Sequence, residues 1–180
     1  MSRRRRASIQ TNEKEIGHLR GPHGYRLCRF CKREVAPPRK TFCSDACIHE
    51  WKLRSSSKYL RKFVYERDLG ICVKCGTDTR FVRIELENAA RASMLESGRW
   101  FWDDHPVYLE CLSRHQLTAK EAKKSIWEAD HVIEVADGGG ESDLANFQTL
   151  CMPCHKVKSA ASRAKRAQAA REARKKRSVI

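Results

Sequence analysis

The sequence contains no long apolar run, which argues against a membrane-spanning protein. No stretch of the 180 residues approaches the roughly 20 apolar residues that a bilayer-crossing helix needs. The first residues, MSRRRRASIQTNEKE, also lack the apolar segment of a secretion signal. We therefore expect a soluble, intracellular protein, located in the cytoplasm or, in a eukaryote, in the nucleus.

Acidic residues are scarce relative to basic ones. The chain has 37 Lys and Arg against 22 Asp and Glu, and a formal net charge of +15. A balance this basic indicates a polyanionic partner, with nucleic acid as the commonest choice and a membrane surface as the competing one. The glycines at 138–140 are not followed by Gly-Lys-Ser/Thr, so a phosphate-binding P-loop is excluded.

Cysteine is plentiful, with nine residues, and in an intracellular protein these are not expected to form disulfides. Eight of them lie in four closely spaced pairs, and a pair on one tight turn supplies half of a tetrahedral zinc site. The pattern therefore predicts two structural zinc ions, the alternative being buried or redox-active thiols. The ninth, Cys111, is expected to be a small buried hydrophobe, although its spacing to His115 would also permit a metal site.

The four pairs can be combined in three ways, and loop closure favours nearest partners. Closing about 75 residues instead of about 12 costs only about 1.6 kcal/mol more, which is small beside the roughly 10–16 kcal/mol from a structural zinc ion. His49 is an alternative to Cys47 as a ligand. The predicted ligand sets are Cys28, Cys31, Cys43 and Cys47 for one ion, and Cys72, Cys75, Cys151 and Cys154 for the other.

Composition and periodicity divide the chain into segments. Apolar residues at helical spacing predict a helix from Lys52 to Leu69, and another is expected over residues 80–97. ICVKCGTD is expected to form a short strand and a knuckle, and TAKEAKK begins with a helix cap. The predicted segments are a basic flexible arm at 1–24, a zinc module at 25–54, a connecting helix at 55–70, a main domain at 71–159 with an insertion near 98–120, and a basic tail rich in Ala, Lys and Arg at 160–180.

Harder ligands occur in the segment WEADHVIEVADGGGESDLANFQTLCMPCHKVKS. The Asp130 carboxylate and the His155 imidazole suit Mg²⁺, Mn²⁺ or Ni²⁺, with water or phosphate filling the other positions. His131 follows Asp130 directly, and neighbours on a regular strand point to opposite faces. His131 can therefore join such a site only if the strand ends or twists there.

These residues resemble the HNH endonuclease motif, in the pattern DH, GGG, N and LC..CH..K, and the flanking cysteine pairs are similar to the zinc-stabilised branch of that family. The resemblance implies an α+β fold, a small ββα-metal domain, here with an N-terminal zinc knuckle module and helical, basic tails. It also implies His131 as the general base, Asp130 and His155 as ligands of one divalent ion, and Asn146 as the brace of the loop. Some family members carry a further His where this chain has Ser159, so water would complete the coordination, which favours Mg²⁺ or Mn²⁺.

The basic ends of the chain are expected to bind phosphates without reading sequence, unless they are merely solvated or serve as a nuclear-import signal. The zinc module is either a DNA-contacting knuckle or a structural brace, and Trp100–Trp102 either pack in the insertion or stack on bases. The residues predicted to bind nucleic acid are Arg3, Arg4, Arg5, Arg6, Lys165, Arg166, Arg171, Arg174, Lys175, Lys176 and Arg177.

Together these features predict a metal-dependent DNA endonuclease that nicks a strand or cuts both. The alternative is a zinc protein that binds nucleic acid but no longer cuts it. An isolated Asp-His pair is usually structural, and Asn146 could be a plain turn residue, so the prediction depends on the combination of residues rather than on any one of them.

Overall fold

The computed structural model describes residues 19–98, 104–140 and 143–177. The predictions for Arg3–Arg6 and Trp100–Trp102 concern residues outside these ranges. The chain divides into two compact units, the first made of Met1–Phe63 with Ile133–Asn146 and the second of Val64–Val132 with Phe147–Ile180. The helices are α1 (Asp45–Ser55), α2 (Ser57–Asp68), α3 (Thr79–Ser97), α4 (Pro106–Arg114), α5 (Ala119–Lys124) and α6 (Met152–Arg177), and the strands are β1 (Trp127–His131) and β2 (Phe147–Cys151).

The prediction of a single helix from Lys52 to Leu69 is wrong at its start, because the helix is interrupted at Ser56. That residue has extended backbone angles, and its N–H donates to the carbonyl of Lys52 at the end of α1. Its hydroxyl then accepts from the N–H of Tyr59 in the first turn of α2. Serine side chains compete with the helix for backbone hydrogen bonds, which explains why the SSS sequence favours a boundary over a continuous helix.

Helices α3 and α4 form the core of the second unit. Helix α3 begins at the cap residue Asp78, which accepts from the N–H of Arg80, and ends at Gly98 with a left-handed φ of 61°. Its apolar face packs against α4 and the start of β1, so the helix predicted over 80–97 is observed. The buried residues of this cluster are Val82, Leu86, Tyr108, Cys111, Leu112, Leu117, Ala122 and Ile126.

A two-stranded antiparallel sheet and helix α6 complete the second unit. Trp127 pairs with Cys151 and His131 pairs with Phe147 at the two ends of the register. Helix α6 starts at Met152, directly after β2. The end of β2 therefore positions the first turn of the helix. The strand predicted in ICVKCGTD is reduced to one isolated bridge between Ile71 and Asp78, although its knuckle turn is present.

Within the first unit, a small cluster of cysteines and aromatic side chains provides the core around residues 28–47. Cys28 is fully buried and Val35 nearly so, with Phe30 and Phe42 packed beside them. So few apolar side chains cannot stabilise a domain alone, and small domains of this kind usually depend on a metal or disulfides. Among the described residues, no helix is both long and apolar enough to cross a membrane.

The candidate active site and its zinc clusters

The first cysteine cluster brings together the four residues that spacing assigned to one ion. The sulfur atoms of Cys31 and Cys43 are 3.5 Å apart, and those of Cys43 and Cys47 are 3.4 Å apart. Burial alone would raise the pKa of the Cys31 thiol, but hydrogen bonds from the Arg33 side chain and backbone lower it to about 6. Hydrogen bonds with Cys47 and Cys31 favour the protonated form of the Cys43 thiol and raise its pKa to about 12.

The second cluster joins the knuckle at Cys72 and Cys75 to Cys151 and Cys154 at the junction of β2 and α6. The Cys75 and Cys151 sulfur atoms are 3.6 Å apart. Burial would raise the pKa of Cys75, but Thr77 donates hydrogen bonds that lower it to about 6. Burial also raises the pKa of Cys154 to about 11, so the four thiols do not ionise together without a cation.

Both clusters have the dimensions of a tetrahedral zinc site. In each, the four sulfur atoms lie within 4.8 Å of one another. Zn–S bonds of about 2.3 Å place sulfur atoms about 3.8 Å apart at the corners of a tetrahedron. His49, the alternative ligand, is engaged elsewhere, since its Nδ1 lies 3.0 Å from the Tyr59 hydroxyl. The predicted cysteine pairing is therefore present in the fold, and the chemistry of four thiolates fits zinc.

Asp130 and His155 approach each other between β1 and α6. Asp130 Oδ1 lies 3.9 Å from His155 Nε2, and the two side chains are 20% and 30% exposed. A divalent ion about 2.1 Å from each atom can bridge ligands up to about 4.2 Å apart. Among the described residues, only the cysteine clusters bring three or more His, Cys or acidic side chains together, so this pair needs water or phosphate oxygens for the remaining positions.

His131 is the last residue of β1, and its place in the site stays a prediction. Its ring packs on its register partner Phe147, with centroids 4.3 Å apart and planes inclined at 45°. Ser159, in place of the further His of some relatives, has its hydroxyl 3.4 Å from His155 Nε2. A hydroxyl at this distance can hold the imidazole by hydrogen bonding.

Asn146 closes the loop that follows the first strand, within the first unit. Its side-chain oxygen accepts from the Ile133 N–H at 2.7 Å, and its amide nitrogen donates to the Ile133 carbonyl at 3.0 Å and to the Gly139 carbonyl at 3.2 Å. Gly139 has no room for a side chain, because a Cβ there would collide with the Ile133 carbonyl and lie 2.8 Å from the Asn146 amide nitrogen. Asn146, at the end of the loop, is thus bonded to the start of the loop at Ile133 and to its middle at Gly139.

The segment that holds Asp130, His131 and His155 matches a known protein family. Residues 110–161 match the family model described as HNH endonuclease. The chain thus has a segment that matches the HNH endonuclease family, called the HNH domain below. The match includes β1, β2 and the start of α6, and with them Asp130, His131 and His155, so the predicted resemblance and the α+β fold are confirmed.

Relatives of the HNH domain occur in a larger protein, "DNA annealing helicase and endonuclease ZRANB3". The chain is 29% identical to the Mus musculus protein over 146 residues, 29% identical to the Homo sapiens protein over 146 residues, and 32% identical to the Bos taurus protein over 149 residues. Each alignment covers 76% of this chain but only 13% of the relative. The crystal structure of the human ZRANB3 HNH domain aligns with 28% identity, 65% of this chain, 97% of that chain and a TM-score of 0.42. The sequence relationships support a nuclease-type function for the HNH domain.

Lys158 is a residue of the HNH domain with no role predicted from the sequence. Its ammonium contacts both the Asp130 carboxylate and the backbone carbonyl of His131. Lys158 follows His155 by three residues on α6, and residues three apart share a helix face. That spacing was a usable signal, and it places a cation beside the carboxylate that is predicted to bind metal.

The remaining predicted residues fall outside the Asp130–His155 pair. His115 lies 2.7 Å from the Glu85 carboxylate, and Cys111 is buried at 5% exposure, so the two are not part of a metal cluster among the described residues. The basic residues after Ala164 extend along α6, which continues to Arg177. Those exposed on this stretch are Lys165, Arg166, Arg171, Arg174, Lys175 and Arg177.

Proposed function

We propose that the HNH domain is a metal-dependent endonuclease that hydrolyses phosphodiester bonds of DNA. The observation that carries the proposal is the 3.9 Å approach of Asp130 Oδ1 to His155 Nε2, at the end of the strand that carries His131. A carboxylate and an imidazole at this separation are suited to Mg²⁺ or Mn²⁺, and Ni²⁺ is a further possibility. Bound there, the ion would stabilise negative charge on the scissile phosphate and the leaving oxygen.

The side chains have distinct roles in this proposal. His131 accepts a proton from the attacking water, a contribution of about 10²–10⁴-fold in rate. Asp130 and His155 would hold the ion through Oδ1 and Nε2. The Ser159 hydroxyl lies 3.4 Å from the same Nε2, so it would give up this contact when the ion binds. Asn146 acts at a distance from the chemistry, since its three hydrogen bonds close the loop between Ile133 and β2.

The basic residues of α6, together with Arg3–Arg6 and Lys176, are proposed to bind the DNA backbone. Arg and Lys neutralise phosphates regardless of base sequence. Described residues Lys165, Arg166 and Arg171 occur on an exposed helical stretch, where they can follow a phosphate backbone. The proposed cofactors are therefore two structural zinc ions and one catalytic divalent ion, and the proposed partner is DNA.

Nicking of supercoiled DNA tests the proposal. Wild-type protein with Mg²⁺ or Mn²⁺ should convert supercoiled plasmid to open-circular or linear form, and His131→Ala should lower the rate by at least about 100-fold. Val132→Ala is the matched control, because Val132 is the next residue and is 51% exposed. Equal zinc content and helicity in all three proteins would show that the loss is not a folding defect.

The contact of Lys158 with Asp130 favours a second candidate, a domain that binds nucleic acid without cutting it. In that case the ammonium permanently neutralises the carboxylate and no divalent ion enters. If wild type and His131→Ala both bind plasmid DNA and neither nicks it with Mg²⁺, Mn²⁺ or Ni²⁺, this second candidate replaces the first.

A further inference from the structure

A cavity of about 660 Å³ lies in the second unit and has no role in the chemistry proposed above. Its walls come from the zinc knuckle, the start of α3, the turn after α4 and the first three turns of α6. Much of the lining is apolar, including Val82, Leu117, Ile126 and Val157. This volume is within the range of about 300–1,000 Å³ typical of sites for small organic groups.

Charge around the cavity favours an anionic ligand. The lining includes Lys74, Arg114 and Lys158, and no Asp or Glu. Arg114 is 58% exposed and only loosely paired, 3.6 Å from Glu85 and 3.3 Å from Glu110. Cys75, Cys151 and Cys154 also line the cavity, and four zinc-bound thiolates carry net negative charge, so a phosphate is expected at the cations and not at the cysteines.

Gln116 contributes an exposed amide to the cavity lining from an unfavourable backbone conformation. Its φ is +53°, the left-handed region that glycine usually supplies after a helix. The turn is held by the Leu117 N–H, which donates to the Leu112 carbonyl at 2.9 Å. A non-glycine residue held in this region points to a use for its side chain, and an amide can hydrogen-bond the edge of a nucleobase.

Lys158 borders both the cavity, which it lines, and the candidate active site, where it contacts Asp130. We propose that the cavity receives an unpaired nucleobase of the nucleic acid strand held at the active site. The base enters the apolar interior, Gln116 bonds its edge, and Lys74 and Arg114 bind the adjacent phosphates. This inference rests on the proposed function, since it names the kind of strand presented to that site.

An unpaired base fits these features better than a duplex does. An apolar recess removes a base from water only if the base has left its stack, and unstacking costs least in single strands and at mismatches. Single-strand sites usually combine a positively charged groove with aromatic side chains that stack on bases. Here aliphatic side chains and the ring of His115 supply the packing surface. A duplex would present phosphates to the cations but would leave the recess unfilled.

Adjacent alanines on α6 provide a matched pair of variants. Ala161 lines the cavity and Ala160 does not, while both are exposed helical residues. Ala161→Trp fills the recess, and Ala160→Trp adds the same side chain on another face. Binding is measured by fluorescence anisotropy with zinc-loaded, full-length protein and no added Mg²⁺, using labelled oligo-dT, oligo-U, an oligo-dT with a central run of abasic sites, and a duplex.

Wild type and Ala160→Trp should bind oligo-dT at least about tenfold more tightly than Ala161→Trp does, with duplex binding changed by less than about twofold. Wild type should bind the abasic strand more weakly than it binds oligo-dT. Ala161→Trp, whose recess is filled, should bind the two strands equally well. Gln116→Gly should raise the melting temperature, because glycine relieves the backbone strain, and yet weaken oligo-dT binding. Comparison of oligo-dT with oligo-U shows whether the site distinguishes DNA from RNA.

Equal oligo-dT binding by the two tryptophan variants would overturn the inference, as would equal binding of abasic and oligo-dT strands by wild type. Concentration-dependent dimerisation that Ala161→Trp abolishes, without an effect on oligo-dT, would instead assign the cavity to contact with a second copy of the chain. Because binding is measured without Mg²⁺, failure here is separable from failure of the plasmid-nicking test.

Discussion

Asp68 connects the end of α2 to the outer edge of strand β2. Its carboxylate accepts from the Thr149 N–H at 2.9 Å and from Arg67 Nε at 2.7 Å. Arg67 also donates to the Phe147 carbonyl at 2.6 Å. Phe147 is the register partner of His131, so this ion pair supports the strand on which the proposed general base packs.

Replacing Asp68 with Asn should destabilise the fold by about 1–3 kcal/mol at neutral pH, because a 12%-exposed carboxylate loses its charged hydrogen bonds. Burial alone would raise the pKa of Asp68, but Arg67 and Thr149 lower it below its usual value. The contribution is therefore present above the unfolded pKa of about 3.9 and is lost as pH falls through the lower folded pKa. Urea unfolding of wild type and Asp68→Asn from pH 7 to pH 3 measures it.

Glu110→Gln is the control for Asp68→Asn, since it makes the same chemical change at a 76%-exposed side chain and should leave the unfolding midpoint unchanged at pH 7. The difference between wild type and Asp68→Asn should shrink towards pH 3. A difference that stays constant over this range would show that the carboxylate charge is not what stabilises β2.

At the level of elements, the features predictable from sequence were those with local signals. The cap of α5 and the spacing within each cysteine pair act over a few residues, and both appear in the structure as expected. The break at Ser56 was missed because apolar spacing continues across it. Lys158 was not assigned a role because its partners, Asp130 and the His131 carbonyl, are brought to it only by the packing of α6 on β1.

The two cysteine clusters should behave as separate zinc sites. Cys31→Ala and Cys75→Ala should each reduce the zinc content from two ions to one, because each removes one of four thiolates. Cys111→Ala, which removes a buried thiol outside both clusters, should retain both ions. Native mass spectrometry gives the count directly, and two ions in Cys75→Ala would contradict the pairing of the Cys72 knuckle with α6.

For the whole molecule, the net charge of +15 predicts an affinity for nucleic acid. The sequence did not predict that the basic residues of the tail lie on one continuous helix. The Ala-rich tail has high helix propensity and little apolar surface to bury, so an isolated helix there is expected to be marginal. In the structure it continues α6 without interruption to Arg177. The packed first turns, held by the second cysteine cluster and β2, provide the nucleus from which the exposed turns extend.

Replacing the exposed basic residues of α6 with glutamine should weaken duplex DNA binding and flatten its salt dependence. Each phosphate that the variant no longer neutralises should lower the slope of log K against log salt by about 0.9. Anisotropy titrations across a range of NaCl concentrations measure this slope. The residues to replace are Lys165, Arg166, Arg171, Arg174 and Lys175.

A comparison variant with the same change in net charge separates the role of α6 from that of overall charge. It replaces five exposed lysines of the first unit with glutamine, and equal slopes for the two variants would contradict a specific role for α6. These lysines are Lys32, Lys40, Lys52, Lys58 and Lys62.

The long separation between the halves of the second zinc cluster also imposes an order on biosynthesis. The first cluster is complete once Cys47 has been translated, whereas the second waits for Cys154, about 5–20 s later at ordinary rates of translation. From the synthesis of Cys75 until that of Cys154, about 4–16 s, the thiols of Cys72 and Cys75 lack their partner thiols on the nascent chain. Oxidants or competing metals that are present during translation are therefore expected to react with the thiols of Cys72 and Cys75 before the rest of the domain has been made.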